Sequence, residues 1–274
     1  MSILQAIIIG CVQGLTEFIP VSSTAHMTLC AGIMGLHDPV HPERWTAFMA
    51  IVQLGTLAAV LLYFARDIRS IVAQTLSQTV QRVPLSRQSD DARTGWFVVF
   101  GTVPIFVIGY AMKKLIEGGI TKDPHLIAAA LILVSGVLYA ADRFASVRRT
   151  LPDLTLRDGI IIGLAQCFAL IPGTSRSGAT IAAGLFLGLT REAAARYSFL
   201  LSIPTIGVSG AYEFVKNAPL LDTGDLAAVI TASVVATVTG YMSIAFFLRF
   251  LRDHSLNAFI LYRLALGVLV LVFL

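Results

Sequence analysis

IIGCVQGLTEFIPVSST, residues 8–24, returns in altered form as IIGLAQCFALIPGTSR, residues 161–176. With one residue deleted between Gln and Pro, Gly10 lines up with Gly163, Gln13 with Gln166, Pro20 with Pro172 and Ser23 with Ser175. Each stretch closes a short apolar run (3–19 and 158–171), and each is followed by a polar cluster and a second short apolar run. Runs of that length, broken by Pro and hydroxyl residues, suit a re-entrant helix pair that enters and leaves on one side of a membrane. A pair of interfacial helices is the alternative reading.

The rest of the chain supplies the membrane. Of the 274 residues, 56% are hydrophobic and 13% charged, with mean hydropathy +0.81. A soluble domain carries about 25% charged residues, so an all-α polytopic membrane protein is expected. Six segments read as spans, at about 47–65, 95–112, 125–141, 197–215, 226–248 and 257–274, each matching a ~30 Å hydrocarbon core. Pro104 and Pro204 fall inside two of them, where membrane helices tolerate proline. Three spans follow each odd segment. Because three is odd, the second half must cross the membrane upside down, giving an inverted-topology repeat with its site near the midplane. The expected layout is one integral membrane domain, 1–274. Repeat 1 covers about 1–145 with re-entrant pair 3–36, and repeat 2 about 155–274 with re-entrant pair 158–190.

Between the first two spans, Ile68, Ile71, Val72, Leu76, Val80 and Val83 recur at helical spacing. That pattern predicts an amphipathic surface helix over 67–83, then a solvated turn from Pro84 to Arg93. The net charge of +4 needs no nucleic-acid partner, because the basic residues sit in the loops between apolar runs. Arg66, Arg69, Arg82, Arg87, Arg93, Arg143, Arg148, Arg149, Arg157, Arg191, Arg196, Arg249 and Arg252 fall on one side. They outnumber Arg44, Lys113, Lys114, Lys122 and Lys216 on the other. The positive-inside rule makes the first side cytoplasmic, with both termini and the first re-entrant mouth facing outward. Cys11, Cys30 and Cys167 are odd in number and lack metal-type spacing, which argues against a disulfide framework and a zinc site. MSILQ carries no basic n-region, so the N-terminus is expected to be retained.

Polar residues at membrane depth carry the chemistry. Gln13 and Glu17, spaced i, i+4, share one helix face. A carboxylate there costs about 2.5–3.5 kcal/mol on insertion scales and calls for a cavity and a partner, unless it sits idle at the headgroups. Ser22, Ser23 and Thr24 could be helix caps. With His26 and Glu17 nearby they also form the minimum set for an activated nucleophile. PGTSRSGAT, residues 172–180, reads as a phosphate site. Gly173 and Gly178 allow close backbone approach, Ser175, Ser177 and Thr180 supply hydroxyls, and Arg176 supplies a guanidinium fork at a helix N-terminus. Arg263 could snorkel, pair with a carboxylate, or lie near the site. Together the two tips make a polar phosphate pocket inside the bilayer, suited to a lipid with a phosphate head.

QGLTE (13–17) resembles the (E/Q)xxxE motif of bacterial undecaprenyl-diphosphate phosphatases, the bacitracin-resistance proteins, and PGTSRSGAT resembles that family's PGxSRSxxT signature. FIPVSSTAH (18–26) and IVQLGTLAAV (51–60) are also similar to its sequences, so the likeness covers essentially the whole chain. It implies metal-assisted cleavage of undecaprenyl diphosphate to undecaprenyl phosphate and inorganic phosphate. That reaction recycles the lipid carrier of peptidoglycan synthesis on the outer face of the bacterial inner membrane and confers bacitracin resistance. Carried over by position, the functional residues are Gln13, Glu17, Ser23, His26, Ser175, Arg176 and Thr180. Gln at position 13 leaves Glu17 the only acid of the pair, which argues against an all-protein metal site. Mg2+ or Ca2+ would bridge the diphosphate to Glu17, with Gln13 and waters completing the shell.

Two schemes stay open: Ser23 as nucleophile with His26 as general base, or water activated by His26 or Glu17. In both, Arg176, Ser175 and the 173–178 backbone grip the diphosphate, with Ser177 and Thr180 as further donors. The expected partners are a polyprenyl diphosphate lipid and the bilayer; a homodimer is left open. Inverted repeats with broken helices also suit a transporter or flippase of a phosphorylated lipid. That class needs no paired nucleophile and base, so the Ser23, His26 and Glu17 grouping favours the enzyme.

Overall fold

The structure, a computed structural model, describes residues 1–36, 42–113, 123–217 and 226–273. Within them the chain forms eleven α-helices. The first half holds α1 (Ile3–Glu17), α2 (Ser23–Ile33), α3 (Pro42–Tyr63), α4 (Ala65–Val80), α5 (Asp90–Ala111) and α6 (Pro124–Phe144). The second holds α7 (Leu156–Gln166), α8 (Arg176–Phe186), α9 (Arg191–Asn217), α10 (Leu226–Asp253) and α11 (Asn257–Phe273). A 3-10 turn, Cys167–Leu170, extends α7. Lys114, Lys122 and Leu274 lie outside the described residues.

Five helices (α3, α5, α6, α9 and α10) are long and apolar enough to cross a membrane. Large apolar side chains such as Leu133, Val234 and Leu261 point outward, as they do when lipid rather than water is the surrounding solvent. The chain is a multi-pass, all-helical membrane protein. The sixth expected span, α11, has 17 described residues, about 26 Å of helix. Helix ends reach further than the apolar runs indicate. α5 starts at Asp90 rather than 95, because Ser89 caps it by accepting from the Ala92 amide and two aspartates follow in the first turn, where the helix dipole favours them. Leu85–Arg87 is a 3-10 turn inside what the sequence marks as a solvated turn. The amphipathic helix is α4. Its Ile68 and Ile71 pack on the core, while Val72, Leu76 and Val80 are exposed.

The two odd segments are helix–turn–helix units. α2, α7 and α8 have 11 residues each, about 16 Å, and α1 has 15, about 22 Å. All are too short for a ~30 Å core. They pack crosswise: α1 lies on α10, and α7 lies on α5. Glycines make both crossings close. A Cβ on Gly10 would stand 2.5 Å from the Ala232 carbonyl oxygen, and one on Gly163 2.0 Å from that of Gly101. α6 packs against α11, and α3 against α9.

The structure also corrects the alignment. Ser22 and Ser175 are both N-caps in positive-φ conformations (74° and 69°), accepting from the amides of Ala25 and Gly178. They are 153 positions apart, as are Gly10 and Gly163, and Gln13 and Gln166. No deletion is needed. Ser22, not Ser23, is the counterpart of Ser175, and Ser23 corresponds to Arg176. The shared prolines misled because Pro20 stands two residues before its cap serine and Pro172 three before its own.

Gly163→Ala should destabilise the protein by about 1–3 kcal/mol through overpacking, and Gly10→Ala similarly. Gly32, with nothing near its missing Cβ, should tolerate alanine. Unfolding midpoints in detergent test this; equal midpoints for Gly163→Ala and Gly32→Ala would contradict the crossing geometry.

Candidate active site

The two turns meet at Glu17. Its Oε2 accepts from Gln13 Nε2 at 2.9 Å and from Ser23 Oγ at 2.8 Å. Its Oε1 accepts from Arg176 Nη2 at 3.2 Å. The pair is buried, with side-chain exposures of 4% for Glu17 and 10% for Arg176. Glu17 thus takes one hydrogen bond from its own helix, one from the following turn and one from the opposite unit.

Packing fixes these positions. Phe18, fully buried, meets Phe199 edge-on at 5.3 Å, and Phe199 lies 6.2 Å from Phe247. This aromatic floor anchors the end of α1, since Phe18 directly follows Glu17. Ser177 Oγ donates to the Ile19 carbonyl at 3.2 Å, a second link between the turns. Thr180 Oγ1 donates to the Arg176 carbonyl at 2.9 Å and lies 2.6 Å from Ser198 Oγ. Gly173 has φ +91°, and a Cβ there would fall 2.4 Å from the Ile127 carbonyl oxygen, so no other residue fits this turn.

A cavity of about 510 Å3 opens over the pair. Glu17, Ser23, Gly173, Ser175 and Arg176 line its polar floor. The Gly178 amide is taken by the Ser175 cap, while the Arg176 and Ser177 amides precede the first intrahelical bond, and a helix N-terminus of this kind favours an anion. Ile105, Phe106, Leu170, Ile171 and Val208 give the cavity apolar walls. It runs to the C-terminal ends of α5 and α9, where Tyr110, Lys113, Tyr212 and Glu213 line it. The arrangement holds a carboxylate, a hydroxyl, a guanidinium and a helix N-terminus around one polar patch with an apolar surround. It can bind an anionic head attached to an apolar tail.

Other expected site residues stand behind the wall. Ser177 and Thr180 are fully buried and brace the turn rather than line the cavity. His26 is outside the lining residues. Its Nδ1 is 2.7 Å from the Ser22 carbonyl, which requires the proton on Nδ1, and its Nε2 is 2.7 Å from the Tyr262 hydroxyl. Both ring nitrogens are therefore engaged. Gln13 Oε1 is buried with no hydrogen-bond partner among the described residues. Among the described residues no group of three His, Cys, Asp or Glu side chains could hold a metal. Sequence reading missed Gln53, Thr205 and Ser209 in the lining; polar residues inside otherwise apolar spans are the signal that could have found them.

Residues 6–269 match the family described as Bacitracin resistance protein BacA. The chain belongs to the BacA family. It is 46% identical over 268 residues to a protein of Syntrophobacter fumaroxidans named undecaprenyl-diphosphatase, covering 97% of this chain and 95% of the relative. A Chloroherpeton thalassium protein of the same name is 47% identical, with 99% and 96% covered. One from Frankia alni, named undecaprenyl-diphosphatase 3, is 47% identical, with 99% and 94% covered. In this BacA-family chain the cross-turn contacts should differ sharply in weight. Glu17→Ala strands a buried guanidinium and should cost about 3–5 kcal/mol. Ser177→Ala removes two neutral hydrogen bonds, to the Ile19 carbonyl and to Ser175 Oγ, and should cost about 1–2 kcal/mol. Thermal midpoints of the two variants check the ranking, and equal midpoints would contradict it.

Proposed function

We propose that this chain is an undecaprenyl-diphosphate phosphatase, releasing inorganic phosphate and undecaprenyl phosphate from a membrane-bound diphosphate lipid. The observation that carries this reading is the cross-turn cluster of Glu17, Ser23 and Arg176 on the floor of an apolar-walled cavity. The activity returns the lipid carrier to peptidoglycan synthesis and accounts for bacitracin resistance.

We read the two helix–turn–helix units as re-entrant pairs in an inverted repeat, with six spans including α11. Their crosswise packing and matching serine caps support this. The arginine-rich ends of α5 and α9 then face the cytoplasm, and the cavity opens to the periplasmic face of the inner membrane.

In the mechanism, Arg176 and the α8 amides bind the terminal phosphate, and Ser175 orients it from the turn. Diphosphate cleavage is chiefly a matter of positioning and charge neutralisation, and this floor supplies both. Ser23 Oγ attacks the terminal phosphorus, and the bond to the bridging oxygen breaks. The serine proton passes to Glu17, which already accepts it at 2.8 Å. Glu17 gives that proton up to the departing undecaprenyl phosphate. Water then hydrolyses the phosphoserine, its proton passing to the freed Glu17 carboxylate and on to Ser23 Oγ as inorganic phosphate leaves. His26, held by the Ser22 carbonyl and the Tyr262 hydroxyl, steadies the serine turn, a positioning role in place of the general base expected from sequence. The donor set fits a divalent cation only in part: Glu17 and the unpartnered Gln13 oxygen would hold Mg2+ or Ca2+ with the substrate's own phosphate oxygens. Such an ion supplies charge neutralisation on the phosphate.

Purified protein should release phosphate from undecaprenyl and farnesyl diphosphate, more slowly in EDTA. Ser23→Ala should retain less than about a tenth of wild-type kcat, because a lost nucleophile costs far more than a hydrogen bond. His26→Ala should lose less than Ser23→Ala. No release by folded wild type that still binds the lipid would replace hydrolysis with transport, and an active Ser23→Ala would remove the serine step.

A further inference from the structure

Arg263 lies on α11 and is completely buried. Its Nη1 donates to the Pro20 carbonyl at 2.9 Å. Its Nη2 donates to the carbonyls of Gly173 at 3.2 Å and Thr174 at 3.1 Å. One guanidinium thus holds the backbone of both turns; among the described residues none of its hydrogen bonds goes to a carboxylate, and its Nε has no partner. Arg263 is not among the cavity-lining residues, so it neither snorkels nor touches the space a substrate would occupy.

A charge buried without an anion is costly and persists where carbonyl dipoles and geometry compensate it. Here the carbonyls are those of residues leading into Ser22 and Ser175, the two positive-φ caps. Holding a non-glycine residue in that conformation costs energy that the surroundings must supply. The neighbouring Tyr262 adds a second grip: its hydroxyl meets His26 Nε2, and the two rings stack at 5.5 Å. Gly178, which follows the second cap, leaves room for this arrangement; its missing Cβ would stand 3.4 Å from Arg263 Nη1.

We infer that Arg263 is a positioning residue that sets the spacing of the two turns, and through it the alignment of Ser23 and Glu17 with Arg176. This rests on the phosphatase reading for its kinetic consequence, but the clamp itself does not require turnover. Lysine preserves the charge, yet its single ammonium lacks the fork that spans carbonyls on both turns. A displacement of about 1 Å at a reacting centre can cost ~100-fold in rate.

Arg263→Lys should therefore lower kcat about a hundredfold, with KM within about threefold of wild type, since the binding groups remain present. Leu138→Ala, a cavity variant in the core, serves as the stability control. It should match or exceed the loss of thermal midpoint while keeping kcat. In parallel, spin labels at Thr24→Cys and Ala169→Cys, on a background with the three native cysteines replaced, report the distance between the turns. That distribution should broaden in Arg263→Lys. Wild-type kcat in Arg263→Lys, a narrow unchanged distribution, or an equal kcat loss in Leu138→Ala would each overturn the inference. A broadened distribution in a chain whose wild type releases no phosphate would uphold the clamp and refute the phosphatase reading instead.

Discussion

An ion pair between Glu17 and Arg176, drawn from opposite halves of the chain and buried at the meeting of two turns, is the constraint the remaining structure serves. Neither charge is tolerable alone in an apolar surround. α1 must end where its acid can reach the other unit, and α8 must begin where its guanidinium can reach back. The aromatic floor of Phe18, Phe199 and Phe247 and the glycine crossings of α1 on α10 and α7 on α5 hold those ends in place. Removing either crossing would move a charge, not just loosen a helix.

A nearly symmetric frame carries asymmetric chemistry. At the constant offset of 153 positions, Gly10, Gln13 and Ser22 meet Gly163, Gln166 and Ser175, residues that shape helices and turns. The reactive positions differ. Glu17 corresponds to Leu170, Ser23 to Arg176 and His26 to Ala179. Beside matching serine-capped helix starts, one half therefore presents an acid and the other a cation. In the proposed reaction the second half holds the anionic phosphate and the first reacts with it. Leu170, where the second acid would stand, instead belongs to the apolar wall.

Much of this was legible in the sequence. The apolar runs marked the long helices, because membrane spans need length and little else. The proline-broken segments marked the short units; of the hydroxyls around Arg176, Ser175 lines the cavity while Ser177 and Thr180 brace the turn. Helix ends were misjudged where capping chemistry at Ser89 extends α5 into charged sequence. The pairing of Ser23 with Ser175 was one residue out, since positive φ at Ser22 leaves no compositional trace. The contacts of His26 were not legible, because sequence proximity shows neither tautomer nor partner; Tyr262 is 236 positions away. Arg263 stayed ambiguous for the same reason. Its ligands are backbone carbonyls, which every residue type offers.

The central claim is that the two turns act as one phosphate site, and a double-mutant cycle on kcat/KM for undecaprenyl diphosphate tests it most directly. Glu17→Gln, Arg176→Gln and the double variant would be compared with wild type. One shared site predicts strong non-additivity, the double variant being about as impaired as the worse single variant. Losses that simply multiply would mean that the two residues act independently, and the cross-turn site would be wrong.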